Sequence, residues 1–178
     1  MEKQLEWAFV PNQKNITTVN AETQHTYDLV NLACGEALGY GTRRVGINLV
    51  WVDPIQSDNI RIVRQSTSKE PLKFGELIAI HVRKGKYLTY QVRNTSVNLG
   101  WSNKPAFQWK ITGGRDGNPV KTMSPIGLFN TVERDWLIYG RRPTGINCCW
   151  LKDQGKYATI SVITDILVFL EDCPLVAR

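Results

Sequence analysis

The apolar residues of this chain fall at alternate positions in short runs, and no segment carries the 3.6-residue period of an amphipathic helix. Leu5-Glu-Trp7-Ala-Phe-Val10 alternates and then meets Pro11, which predicts a strand ending there. Leu29-Val-Asn-Leu32, Leu77-Ile-Ala-Ile80 and Ile126-Gly-Leu-Phe129 are each strand-sized. So are Asn59-Ile-Arg-Ile-Val63, Phe107-Gln-Trp109-Lys-Ile111, Tyr157-Ala-Thr-Ile-Ser-Val162 and Ile166 to Leu170. Val132-Glu-Arg-Asp135 suffices for one helical turn and little more. The polar, Asn- and Thr-rich stretch from Asn12 to His25 predicts an exposed loop.

One fourteen-residue pattern occurs three times without insertion or deletion. Leu38 to Trp51, Leu88 to Trp101 and Leu137 to Trp150 all read L-x-Y-x-x-R-x-x-(G/S)-(I/V)-N-x-x-W. The tyrosines Tyr40, Tyr90 and Tyr139 recur about fifty residues apart, a spacing that dictates architecture before any other feature does. Between the Tyr and Trp segments lie Gly, Pro, Thr and Asn, which accept or pre-set turn dihedrals, so each copy predicts a β-hairpin. The period of two places Ile47, Leu49 and Trp51 on one face of the second strand, with Asn48 and Val50 on the other.

With the flanking runs, each copy supplies four short strands, over roughly residues 26–65, 74–113 and 123–164 of a single domain spanning 1–178. Trp7 looks like Trp109, so the first strand reads as fourth-strand material displaced to the other end of the chain. This arrangement resembles a β-trefoil, an all-β fold of six barrel strands capped by three hairpins. The resemblance covers about residues 26–164 and rests on architecture and repeat length. The Gln-x-Trp ending of ricin-type lectin repeats is missing, because Gln108-Trp109 is not that motif, so no subfamily is indicated. A propeller needs at least four blades, and a sandwich has no need of threefold self-similarity.

Charge and cysteines change this picture little. The chain carries 22 basic and 16 acidic residues, a formal charge of +6, which favours an acidic or phosphate-bearing partner. The basic residues are scattered in sequence, and no run of five like charges marks a nucleic-acid binder. Cys34, Cys148, Cys149 and Cys173 show neither disulfide-framework nor metal-site spacing, and His25 and His81 lie in no motif. Cys148 stands where the other copies have Leu49 and Leu99, which predicts a small buried apolar residue. The longest apolar run is too short for a membrane span, and Met-Glu-Lys-Gln-Leu-Glu-Trp is no signal peptide. Cytoplasmic residence is the expectation, with leader removal or non-classical export as alternatives.

No catalytic motif and no cofactor are expected: G-x-S-x-G, P-loop and GxGxxG patterns are missing. Gly113-Gly114-Arg-Asp116-Gly117 precedes no helical pattern and reads as a turn. The repeated Leu and Trp are what a symmetric core requires. The repeated Arg and Asn admit two readings. Asn bonds the turn backbone while Arg stacks on its own Tyr, or both face a polar ligand alongside the ring. Trefoils resembling this architecture are often lectins with one weak site per repeat. The resemblance thus implies a carbohydrate-binding, toxin-associated lectin, with glycans or glycoconjugates as partners. Its candidate ligand-binding residues are Tyr40, Arg43, Asn48, Tyr90, Arg93, Asn98, Tyr139, Arg142 and Asn147. The copies are unequal (Gln91 and Ser96 replace glycines in the second, and Pro143 enters the third), so fewer than three sites are expected to work. The alternative is a protein-binding trefoil, a protease inhibitor or toxin receptor-binding subunit, acting through loops Asn12–His25 and Ser66–Phe74. A basic face for actin or another anionic surface comes third.

Overall fold

A computed structural model describes residues 3–11, 20–23, 25–54, 60–82, 85–94 and 96–154. The strands expected at Tyr157–Val162 and Ile166–Leu170, and most of the Asn12–His25 loop, lie outside the described residues. The described chain is all-β. Twelve strands occur: β1 (Trp7–Pro11), β2 (Thr26–Asn31), β3 (Ala37–Tyr40), β4 (Leu49–Val52), β5 (Ile60–Arg64), β6 (Leu77–Val82), β7 (Lys86–Tyr90), β8 (Leu99–Ser102), β9 (Trp109–Thr112), β10 (Gly127–Asn130), β11 (Asp135–Tyr139) and β12 (Cys148–Trp150). Two single 3-10 turns, Lys3–Leu5 and Leu151–Asp153, accompany the strands.

All strand pairs are antiparallel, and six strands close on themselves. β1 pairs β2, β2 pairs β5, β5 pairs β6, β6 pairs β9 and β9 pairs β10. The ring is completed where Trp7 and Ile126 exchange backbone hydrogen bonds of 2.8 Å each way, just before β10 begins. Such closure leaves no open edge within the ring itself, among the described residues. The remaining strands form the hairpins β3–β4, β7–β8 and β11–β12, attached to β2, β6 and β10 respectively. β1 runs through Pro11, one residue beyond the expected end. A proline lacks only the N–H, and at a strand terminus that loss is tolerated.

The interior is one cluster. It takes Leu38, Leu88 and Leu137, then Ile47, Val97 and Ile146, then Leu49, Leu99 and Cys148, from matching positions of the three motif copies. Trp7 and Trp109 are fully buried, and their indole N–H groups donate to equivalent carbonyls, those of Leu137 at 2.9 Å and Leu88 at 2.8 Å. β1 therefore occupies beside Leu137 the place that β9 occupies beside Leu88. Cys149, expected on the face opposite Cys148, is buried as well, its sulfur filling the space above Gly140. Residues 131–134 form a turn rather than a helix, with Asn130 Oδ1 accepting the N–H groups of Val132 and Glu133. The Gly113–Gly117 segment is a turn without a following helix, pinned where Gly117 N–H donates to the Phe74 carbonyl at 2.9 Å.

His81 on β6 pairs with Arg61 on β5 and packs its ring 4.9 Å from Tyr87. Burial, helped by Arg61, holds its pKa below the ordinary 6.5. The unfolded chain then takes up this proton at a higher pH than the folded chain does. Stability is fully present above about pH 6.5 and falls as pH drops below it. Urea titrations between pH 7 and 5 are expected to show a smaller loss for His81→Gln than for the parent; equal losses would remove His81 as a cause.

Candidate functional site

The three hairpins share one register. Motif Leu faces motif Trp across each pair, in Leu38↔Trp51, Leu88↔Trp101 and Leu137↔Trp150. The turns are also built alike. N–H of Leu49, Leu99 and Cys148 reaches back two residues to the carbonyls of Ile47, Val97 and Ile146, at 2.7, 2.6 and 2.7 Å, a tight turn centred on each motif Asn. That turn swings the amide over the loop. Oδ1 of Asn48, Asn98 and Asn147 accepts the backbone N–H of Arg43, Arg93 and Arg142 at 3.0, 2.9 and 3.1 Å. The Asn48 amide also donates to the Tyr40 hydroxyl at 3.3 Å. Of the two expectations for Asn, bonding of the turn backbone is what these contacts display.

The arginines do something different from stacking on their own tyrosines. Arg43 Nη2 donates to the carbonyl of Gly145 at 2.7 Å, and Arg93 Nη2 to that of Gly46 at 3.0 Å. Each guanidinium thus leaves its own copy and holds the turn of another. Arg43 also donates to the Leu49 carbonyl at 3.4 Å. The turns meet at their glycines. A Cβ added to Gly46 would stand 2.9 Å from Ser96 Oγ, and one added to Gly145 would stand 3.7 Å from the same atom. Gly46 and Gly145 also hold φ of +89° and +88°, which favours glycine there.

The aromatic rings cross between copies in the opposite sense. Tyr40 packs on Trp101 with centroids 5.6 Å apart, Tyr90 on Trp150 at 6.0 Å, and Tyr139 on Trp51 at 5.5 Å. Tyr40, Tyr90, Tyr139, Trp51 and Trp101 stay partly exposed, whereas Trp150 is only 1% exposed. The Tyr90–Trp150 pair is also flanked by Glu133. The Tyr90 hydroxyl bonds its carboxylate, which raises the tyrosine pKa, and Lys152 pairs with the same carboxylate. The indole N–H groups of Trp51, Trp101 and Trp150 are buried with no acceptor among the described residues. Sequence alone assigns these tryptophans to the core; the partial exposure of Trp51 and Trp101 makes them surface candidates too. Their occurrence in hairpins that also carry the repeated Tyr was the available signal.

Chemical groups elsewhere are few. Burial pushes the Cys149 thiol up to about 11 and holds the Cys148 thiol well above its ordinary value, so both stay protonated near neutral pH. Among the described residues no three His, Cys, Asp or Glu side chains gather as a metal site, and no helix is long and apolar enough to cross a membrane. Of the expected protein-binding loops, Ser66–Phe74 is described. Ser66 to Glu70 are exposed, and the segment is tethered by the Arg64 guanidinium through the carbonyls of Ser68, Glu70 and Pro71 and the Glu76 carboxylate. An apolar cavity of about 270 Å³ lies elsewhere, lined by Leu5, Thr112, Gly113, Trp136 and Leu151. Comparison of the chain with protein-family models, curated proteins and solved structures finds no match.

Proposed function

We propose that the protein is a β-trefoil of three repeats that acts as a carbohydrate-binding lectin, with its sites at the seams between neighbouring hairpins. The trefoil reading draws support from the six-stranded closure, the three hairpins of one register, and the cyclic exchange of contacts between copies. One observation carries the functional reading. Two partly exposed Tyr–Trp pairs, Tyr40–Trp101 and Tyr139–Trp51, are each assembled from two different copies. A flat aromatic face takes the apolar side of a sugar ring, and the adjoining tyrosine hydroxyl takes its polar edge. The Asn and Arg of the nine candidate residues frame these seams, the asparagine oxygens and one Nη2 each of Arg43 and Arg93 being bound to the turns. In the Tyr90–Trp150 pair the indole is buried and the tyrosine hydroxyl is taken by Glu133, so that pair serves packing, which leaves two working sites.

A glycan array on the full chain, run at low and high salt, is expected to give neutral glycans that bind equally at both. Stacking and neutral hydrogen bonds are weakly screened. Calorimetry with the best glycan is expected to show two sites per chain, falling to one in Tyr40→Ser and in Tyr139→Ser. A silent array with demonstrably folded protein would sink the reading. The tethering of Ser66–Glu70 favours a second one, a protein-binding loop held rigid in advance. That reading predicts a silent array and a protein partner lost when Ser66–Glu70 is replaced.

A further inference from the structure

The three hairpin turns, residues 41–48, 91–98 and 140–147, contain Arg43, Arg44, Arg93, Arg141 and Arg142 and no Asp or Glu. Scattered along the sequence, this positive charge is gathered by the fold, because the turns meet at Gly46, Ser96 and Gly145. Most other basic groups with close contacts are neutralised: Arg64 by Glu76, Lys73 by Glu70, Lys110 by Asp116 and Lys152 by Glu133. Arg43, Arg44, Arg93 and Arg141 have no carboxylate within 4.0 Å among the described residues. The carbonyls that Arg43 and Arg93 hold are neutral and leave the charge uncompensated. A guanidinium has five N–H groups; Arg43 uses two and Arg93 one in bonds to other groups.

The centre of this cluster holds a second anomaly. Ser96 is 8% exposed, and its hydroxyl is buried with no hydrogen-bond partner. An unpaired hydroxyl in such a place costs free energy, and native proteins retain few of them. Gly46 and Gly145 border it, and each of those glycines is the residue whose carbonyl anchors an arginine.

We infer that the meeting point of the three turns is a binding site for a tetrahedral oxyanion, a phosphate or a sulfate group, held by Arg43, Arg93 and the Ser96 hydroxyl. The donors arrive from different turns, and guanidinium forks match the spread oxygens of such a group better than they match a monatomic anion. Arg44 and Arg141, exposed on the same turns, raise the local potential that draws it in. The inference does not rest on sugar binding at the aromatic seams. Its occupant is a free inorganic anion or the ester group of a modified sugar, and both present the same oxygens.

The test is thermal unfolding and calorimetry of the full chain with inorganic phosphate, with sodium chloride at matched ionic strength as the control. Phosphate is expected to raise the midpoint saturably, as a ligand of the folded state does, while chloride does not. Ser96→Gly restores the residue of the other copies and is expected to keep the fold and weaken phosphate binding about tenfold. Arg93→Lys keeps the charge but loses the fork and is expected to weaken it further. A sulfated disaccharide that displaces phosphate, where its unsulfated form does not, would identify a sugar ester as the source. Phosphate binding without such displacement would identify the free anion. Phosphate acting no differently from chloride, or binding equally to the parent, Ser96→Gly and Arg93→Lys, would overturn the inference.

Discussion

Trp7→Ala is expected to lower the unfolding free energy by about 3–5 kcal/mol, the usual range for deleting a buried tryptophan. Three losses coincide at this position. The ring is completely buried and stacks 5.8 Å from Trp51. Its N–H is the donor to the Leu137 carbonyl, which would be left buried and unpaired. The cavity would open beside the backbone bonds to Ile126 that close the ring of six strands. Domains are stable by about 5–15 kcal/mol in all, so the variant is expected to melt roughly 6–20 °C earlier at this chain length. Trp7→Phe keeps most of the ring and loses only the donor, so about 1–2 kcal/mol is expected. Urea unfolding of the three proteins measures both steps. A loss under 1 kcal/mol for the alanine variant would mean that β1 contributes nothing to the closure.

Why some of this was legible in the sequence and some was not follows from the reach of each interaction. Strands announce themselves locally, through alternation, and a fixed period fixes which strands are equivalent; Leu38, Leu88 and Leu137 land in one core for that reason. The likeness of Trp7 to Trp109 was also visible, and the two indoles make the same bond to equivalent leucine carbonyls. The backbone role of Asn98 lay within reach as one of two readings, since its partner is five residues away. The destination of Arg43 did not, because its acceptor is 102 residues distant and belongs to another copy. A repeated motif specifies what each copy contains and says nothing of which neighbour it leans on. The unequal burial of Trp51 and Trp150 was hidden likewise. It depends on surroundings the motif does not repeat, such as Glu133 beside Tyr90.

Those cross-links bear on the asparagines, whose replacement carries the second large effect. Asn98→Ala removes the acceptor of the Arg93 N–H and is expected to cost about 1–3 kcal/mol, the range for a partly buried donor left unpaired. Asn48→Ala is expected at the upper end, because the bond from the Asn48 amide to the Tyr40 hydroxyl goes as well. Asn→Asp keeps a carboxyl oxygen in the accepting position, so Asn98→Asp is expected to restore most of the loss. Replacing all three by alanine is expected to leave no cooperative unfolding transition. Three such losses approach the whole stability of a domain. They are also coupled, since each loosened turn carries the carbonyl or the arginine that steadies the next, and coupled sites depart from additivity. Urea unfolding of the singles, the aspartate variants and the triple provides the measure. Were the asparagines ligand donors and nothing else, each alanine variant would keep its stability within about 0.5 kcal/mol, as ordinary surface changes do, and lose only binding. The aspartate series separates these outcomes without any knowledge of the ligand, because a backbone N–H needs only the acceptor that both side chains present.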